Sequence, residues 1–340
     1  MDWQDVLPWG VMRYLTVPEA ARLRRASRLC SEQRTVYEHV VPRWCTPGHY
    51  KHLARLQHGR LPCDPVYELA RRERNVAIEL FDGNVLCVSM HMRSAPLLIR
   101  PDNTVHHWYL GARGANQHCV KPAGPGGVAV ATMCSVRLYR PFGEGTWAPI
   151  LPQLATTHLA SHRDSPWVYG CTHDGVYRFD HRELRARMCV RFAGLSFAAS
   201  TADHVVIVPL STSFWTVYVL RHDAVDKPPV VLDTPGTVVD MHSLRNNRVL
   251  LVCARSSGIY VCVLDPFNPR LMEWTPVQIR NYPIVARWCV LGDLFLTPDT
   301  VIDLASMRVV FSEELRSVTT GVCSEHRCCL FTSDTIRFYW

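Results

Sequence analysis

The chain has 340 residues, 48% of them hydrophobic and 20% charged, with a formal net charge of +7 at pH 7. That apolar fraction excludes a disordered or collagen-like chain and supplies a large core for one or two domains. No apolar run reaches the ~18–20 residues of a membrane-spanning helix, and the acidic start Met1-Asp2-Trp3-Gln4-Asp5 lacks the basic and apolar regions of a secretory signal, so the expectation is a soluble protein of the cytoplasm or nucleus, away from membranes.

The 14 cysteines lie mostly within apolar runs such as Leu250-Leu251-Val252-Cys253, which reads as buried free thiols in a chain without a secretory signal. Charge is uneven: residues 1–74 hold 13 Lys+Arg against 8 Asp+Glu, and residues 75–340 hold 24 against 22. The excess of positive charge therefore belongs mainly to the amino-terminal part.

Residues 1–60 repeat apolar positions at three- and four-residue spacing: Val6, Leu7, Val11, Met12 and Leu15, then Ala20, Leu23 and Ala26. This spacing predicts short packed helices, with Thr16-Val17-Pro18-Glu19 as a start signal and further helices over 31–41 and 49–57. Residues 61–74 read as a linker or as a strand that closes the following domain.

From residue 75 to residue 340 the pattern changes to β-branched and aromatic runs paired around turns. The predicted hairpins are Val85–Met90 with Leu97–Ile99, Val128–Thr132 with Val136–Tyr139, and Trp167–Cys171 with Val176–Phe179. Next come Val205–Leu210 with Phe214–Leu220, Val249–Cys253 with Ile259–Leu264, Leu294–Leu296 with Val301–Leu304, and Cys328–Phe331 with Ile336–Tyr339. Their turn centres recur at a period of about 40 residues, the spacing of β-propeller blades. Flanking strands are expected at His158–Ser161 and Ala186–Arg191, and at Thr237–Met241 and Leu271–Thr275. The predicted fold class is mainly β, a six- or seven-bladed propeller behind a small α-helical module. The last hairpin leaves its sheet without an outer strand; Val66-Tyr67-Glu68-Leu69 is a candidate to supply it by pairing with Ile336–Tyr339, giving seven blades, and six remain if the first or last hairpin lies outside the ring.

Sites of chemistry are sparse. Pro122-Ala123-Gly124-Pro125-Gly126-Gly127 has the glycines of a phosphate loop but no following lysine, and no Gly-x-Ser-x-Gly elbow occurs. Cys323, His326, Cys328 and Cys329 are close in sequence, yet adjacent strand residues point to opposite faces, which opposes a shared metal. The pairs His158 with His162 and His106 with His107 need carboxylates from elsewhere. No catalytic residue, metal site or cofactor is assigned, and an enzyme is not expected. Arg182, Arg185, Arg187 and Arg191, and the denser set Arg22, Arg24, Arg25 and Arg28, are candidate basic faces for phosphate contacts.

The contiguous stretch Tyr14-Leu15-Thr16-Val17-Pro18-Glu19-Ala20-Ala21-Arg22-Leu23-Arg24-Arg25-Ala26-Ser27-Arg28, with Asp5, Leu7, Val11 and Met12 upstream, resembles an F-box over residues 3–30. Ala20, Ala26 and Cys30 stand where that family carries leucine, valine and tryptophan. The resemblance implies docking to a Skp-type adaptor of a cullin ubiquitin ligase through Leu7, Val11, Met12, Leu15 and Leu23, with the divergent propeller recognising an unidentified protein substrate. The competing expectation is an architectural subunit of a large assembly, such as a ribonucleoprotein, with Arg22–Arg28 near RNA.

Overall fold

The computed structural model describes residues 63–68, 75–89, 96–102, 104–107, 120–124, 127–131, 135–139, 148–152, 156–180, 186–192, 194, 196–209, 215–244, 246–277, 288–297, 300–310, 318–323, 328–332 and 335–339. Helices expected in residues 1–60 lie outside them. The chain divides into two units, one within Glu73–Gln278 and one drawn from the segments on either side of it.

The first described strand, β1 (Cys63–Glu68), belongs to the last sheet. Five four-stranded antiparallel sheets then follow in chain order within Glu73–Gln278. The first is β2 (Asn75–Glu79), β3 (Val85–Ser89), β4 (Leu97–Ile99) and β5 (Val105–His107). The second is β6 (Val120–Pro122), β7 (Val128–Ala131), β8 (Ser135–Tyr139) and β9 (Ala148–Pro152). The third is β10 (Thr156–Ser161), β11 (Trp167–Thr172), β12 (Gly175–Asp180) and β13 (Ala186–Arg191). The fourth is β14 (Ser196–Ser200), β15 (His204–Pro209), β16 (Thr216–Arg221) and β17 (Val230–Asp233). The fifth is β18 (Thr237–Ser243), β19 (Val249–Arg255), β20 (Gly258–Leu264) and β21 (Thr275–Val277).

Within this unit the second strands of the second, third and fourth sheets are almost wholly buried, because each of these sheets packs between two neighbours. All six residues of β15 are buried. Val205 and Ile207 join a cluster with Tyr169, Cys171 and Val176 of the third sheet, while Val206 and Val208 join Leu251, Cys253 and Cys262 of the fifth. In β7, Val128 and Val130 pack with Leu86 and Leu98 of the first sheet, and Ala129 and Ala131 with Leu159 and Phe179 of the third. The two-residue period of a strand thus sends alternate side chains into two different cores. Burial fades toward the fourth strand: β13 and β17 are largely exposed.

The other unit holds two sheets. One is β22 (Cys289–Leu291), β23 (Leu294–Leu296), β24 (Val301–Asp303) and β25 (Arg308–Val310). The other takes β26 (Thr320–Cys323), β27 (Cys328–Phe331) and β28 (Thr335–Tyr339), and its fourth member is β1. Val66, Tyr67 and Glu68 lie opposite Arg337, Ile336 and Thr335. Seven consecutive four-stranded meanders make the fold a seven-bladed β-propeller, which resolves the choice between six and seven blades.

Turn chemistry explains the regular spacing. Thr172, Thr297 and Thr332 close the second-to-third strand turns of three sheets, their hydroxyls donating to the carbonyls of Gly175, Thr300 and Thr335 at 3.0, 2.9 and 3.3 Å. These turns stand in the recurrent sequences Thr172-His173-Asp174-Gly175, Thr297-Pro298-Asp299-Thr300 and Thr332-Ser333-Asp334-Thr335. Gly175 has φ of +150°, and a Cβ there would lie 2.2 Å from the carbonyl oxygen of Val190. One expected strand is corrected. Pro269–Leu271 forms a 3-10 turn, in which proline at the start of the turn is tolerated, and the strand begins only at Thr275.

Candidate functional site

Among the described residues, the densest set of buried polar side chains lies where the third and fourth sheets pack together. Tyr169 comes from the middle of β11, and His222 from the 3-10 turn His222–Ala224 that follows β16. Both are buried. Their rings stack at 5.4 Å, and the Tyr169 hydroxyl lies 2.6 Å from Nδ1 of His222. Nε2 of the same ring lies 3.0 Å from the carbonyl oxygen of Thr201. A carbonyl oxygen only accepts, so Nε2 carries the proton and Nδ1 is left to accept from the tyrosine hydroxyl. This assigns one neutral tautomer to His222. Arg178 of β12 donates to the carbonyl of His222 at 2.6 Å and lies 4.4 Å from the centroid of the Trp167 ring.

Other histidines surround this bridge. His158 on β10 donates from Nε2 to the carbonyl of Ala198 on β14 at 3.0 Å, a second fastening between the two sheets. His162 accepts at Nδ1 from the backbone N–H of Asp164, at 3.2 Å. His204, buried at the start of β15, meets the Phe267 ring edge to face at 4.7 Å. Burial pushes the His222 pKa down to about 4, opposed by its bond to Thr201 and reinforced by His204 and His162. Burial also lowers His162 and His204, and it raises the Tyr169 phenol above its ordinary range.

Two partly exposed polar pairs involve the first strands of the sheets. Asp240 and His242 of β18 meet at 3.1 Å, and Arg163 reaches Glu79 of β2 at 3.9 Å. On the outer side, Arg187 of β13 donates to Asp226 at 2.7 Å across the third and fourth sheets.

Chemically, the Tyr169–His222 bridge is a fastener. The lone pair that a general base would need is occupied by the tyrosine hydroxyl, and the opposite nitrogen is bonded to backbone. Among the described residues, no three of His, Cys, Asp and Glu converge as metal ligands. Burial pushes the Cys87, Cys171, Cys253 and Cys262 thiols up to about 12, which suits core packing and opposes nucleophilic use.

The sequence-predicted sites distribute as follows. Leu7, Val11, Met12, Leu15, Leu23, Arg22, Arg24, Arg25 and Arg28 lie outside the described residues, as do Arg182, Arg185 and His326. His158 and His162 take backbone partners, and His106 lies exposed 3.3 Å from the Thr104 hydroxyl. The glycine-rich segment is a tight connection between β6 and β7, with Ala123 donating to Gly127 at 2.9 Å and Gly124 at φ +67°. Sequence reasoning missed Tyr169 and His222, 53 residues apart. A Tyr in a strand and a His at a loop carry no local sign that they will meet.

No family model matches the chain, and no curated protein matches it. Solved structures do. Two of virginiamycin B lyase from Staphylococcus aureus are each 10% identical and cover 81% of this chain and 99% of theirs. One is a catalytically inactive variant with quinupristin, at a TM-score of 0.57; the other is selenomethionine-substituted, at 0.58. At that identity the likeness is one of fold, and it places this chain among the seven-bladed β-propellers. Among the described residues, no helix is long and apolar enough to cross a membrane.

Proposed function

We propose that this chain is a non-enzymatic protein-interaction adaptor: an F-box-like segment at residues 3–30 docks a Skp-type protein of a cullin ubiquitin ligase, and the propeller receives a protein substrate in the cytoplasm or nucleus. The observation that carries this reading is the order of parts, a propeller of seven sheets preceded by the contiguous stretch Tyr14–Arg28. A propeller presents many loops on a rigid frame, which suits recognition of another protein. The buried polar groups between the third and fourth sheets support the same reading, because they are used up in holding the sheets together.

In the docking module Leu7, Val11, Met12, Leu15 and Leu23 form the apolar contact. Affinity purification of the full chain should recover a Skp-type protein and a cullin, and Leu15→Asp with Leu23→Asp should abolish that recovery while the protein stays folded. Unchanged recovery with the folded double variant overturns the docking assignment. Salt-sensitive recovery of RNA that is lost on Arg→Ala changes at Arg22, Arg24, Arg25 and Arg28, without any Skp-type protein, replaces it with the architectural role.

A further inference from the structure

Strand register brings together residues that are scattered in the sequence. In the seventh sheet Cys323 lies opposite Cys328, Cys328 opposite Tyr339, and Tyr339 opposite Cys63. The strand order is β1-β28-β27-β26, so these four positions form one row across the whole sheet. Directly opposed residues on antiparallel strands share a face, so the row lies on one face. Cys329 is the next residue along β27 and belongs to the other face, where Val322 and Phe338 are its register partners. It is fully buried.

Spacing separates the members of the row. Direct antiparallel partners have Cα atoms about 4.5–5.5 Å apart, inside the range of about 4.4–6.8 Å that a disulfide spans. Cys328 and Cys63 are two strand spacings apart, about 9.5 Å, which is beyond that range without backbone movement. The register therefore selects a single pair out of Cys63, Cys323, Cys328 and Cys329.

We propose that Cys323 and Cys328 are a redox modification site, closing reversibly into a cross-strand disulfide that staples the β26–β27 hairpin. The oxidant class is a low-molecular-weight disulfide such as oxidised glutathione. One cysteine thiolate attacks a sulfur of the oxidant, whose S–S bond breaks to give a mixed disulfide and one glutathione thiolate. The second cysteine thiolate attacks the protein-side sulfur of that mixed disulfide, forming the Cys323–Cys328 bond and releasing the second glutathione. Two electrons pass from the cysteines to the oxidant, and the two thiol protons end on the two glutathione molecules.

The full chain is equilibrated in glutathione buffers of increasing oxidised fraction, blocked with N-ethylmaleimide and digested with trypsin. Cleavage after Arg316, Arg327 and Arg337 separates the two cysteines into peptides 317–327 and 328–337. The expected product is one mass joining these peptides, which returns to two alkylated peptides on reduction. Fragmentation should place the bond at Cys328, and the bond should persist in C329S and vanish in C323S and in C328S. Independent alkylation of Cys323 and Cys328 at every buffer ratio overturns the proposal, as does a bond to Cys63 or Cys329. The wild-type measurement decides on its own if a serine variant fails to fold.

Discussion

The third and seventh sheets contain the same four-stranded meander and assemble it differently. The third draws all its strands from Thr156–Arg191, so each pairing closes a short loop. The seventh takes β26, β27 and β28 from near the end of the chain and β1 from Cys63–Glu68, more than 250 residues away. Loop-closure entropy grows only slowly with length, so such a pairing is affordable, but it must form after the intervening sheets have given it somewhere to form. The third sheet is a local product, and the seventh depends on both ends of the described chain.

Four measurements sharpen or break that comparison. The largest effect is expected from replacing Val66 and Tyr67 together with proline, which removes whichever backbone N–H donates to β28. Loss of the cooperative transition, or destabilisation by about 3 kcal/mol or more in urea, is expected; an unchanged midpoint would mean that β1 does not hold the last sheet. Next is Leu251→Ala in β19, a fully buried side chain between the fourth and fifth sheets. This should destabilise by roughly 2–5 kcal/mol through lost burial and a cavity, read from the same denaturation curves.

The third measurement concerns acid. The pKa of His222 is lowered to about 4 in the fold, below its ordinary value of 6.5, so between these values the unfolded chain binds the proton more tightly. Stability from this group is therefore fully present above about pH 6.5 and is lost as pH falls toward 4, a total on the order of 3 kcal/mol. His162 and His204 are shifted in the same direction and add to the slope. Denaturation midpoints followed from pH 7.5 to 4 should fall in the wild type and fall less steeply in His222→Gln; identical slopes would remove His222 from the account. The smallest effect is Arg187→Ala. Its partner Asp226 is also solvent-exposed, so the change should be at most about 1 kcal/mol and should shrink further in high salt.

Much of the fold is legible along the chain. Apolar alternation marks β11 and β12 to within a residue, because these strands are flanked by turns whose Thr-x-Asp-Gly chemistry is local. Leu271–Thr275 misleads because Pro269 starts a short turn there, and an apolar run shows neither that turn nor the delayed strand. The candidate site was far less readable. His158 and His162 attract attention as a pair in sequence, but their partners are backbone groups, including one on the next sheet. Tyr169 and His222 attract none, and they form the central bridge.

The sequence by itself determined the class of structure and its repeat, since strand alternation and turn residues act over a few neighbours at a time. Only the tertiary structure decided which side chains meet: Tyr169 with His222, the alternate faces of β15 with two different cores, and Cys323, Cys328, Tyr339 and Cys63 in one row. Those encounters depend on register and on the packing of one sheet against the next, and a shift of one residue would turn every side chain of a strand to the other face.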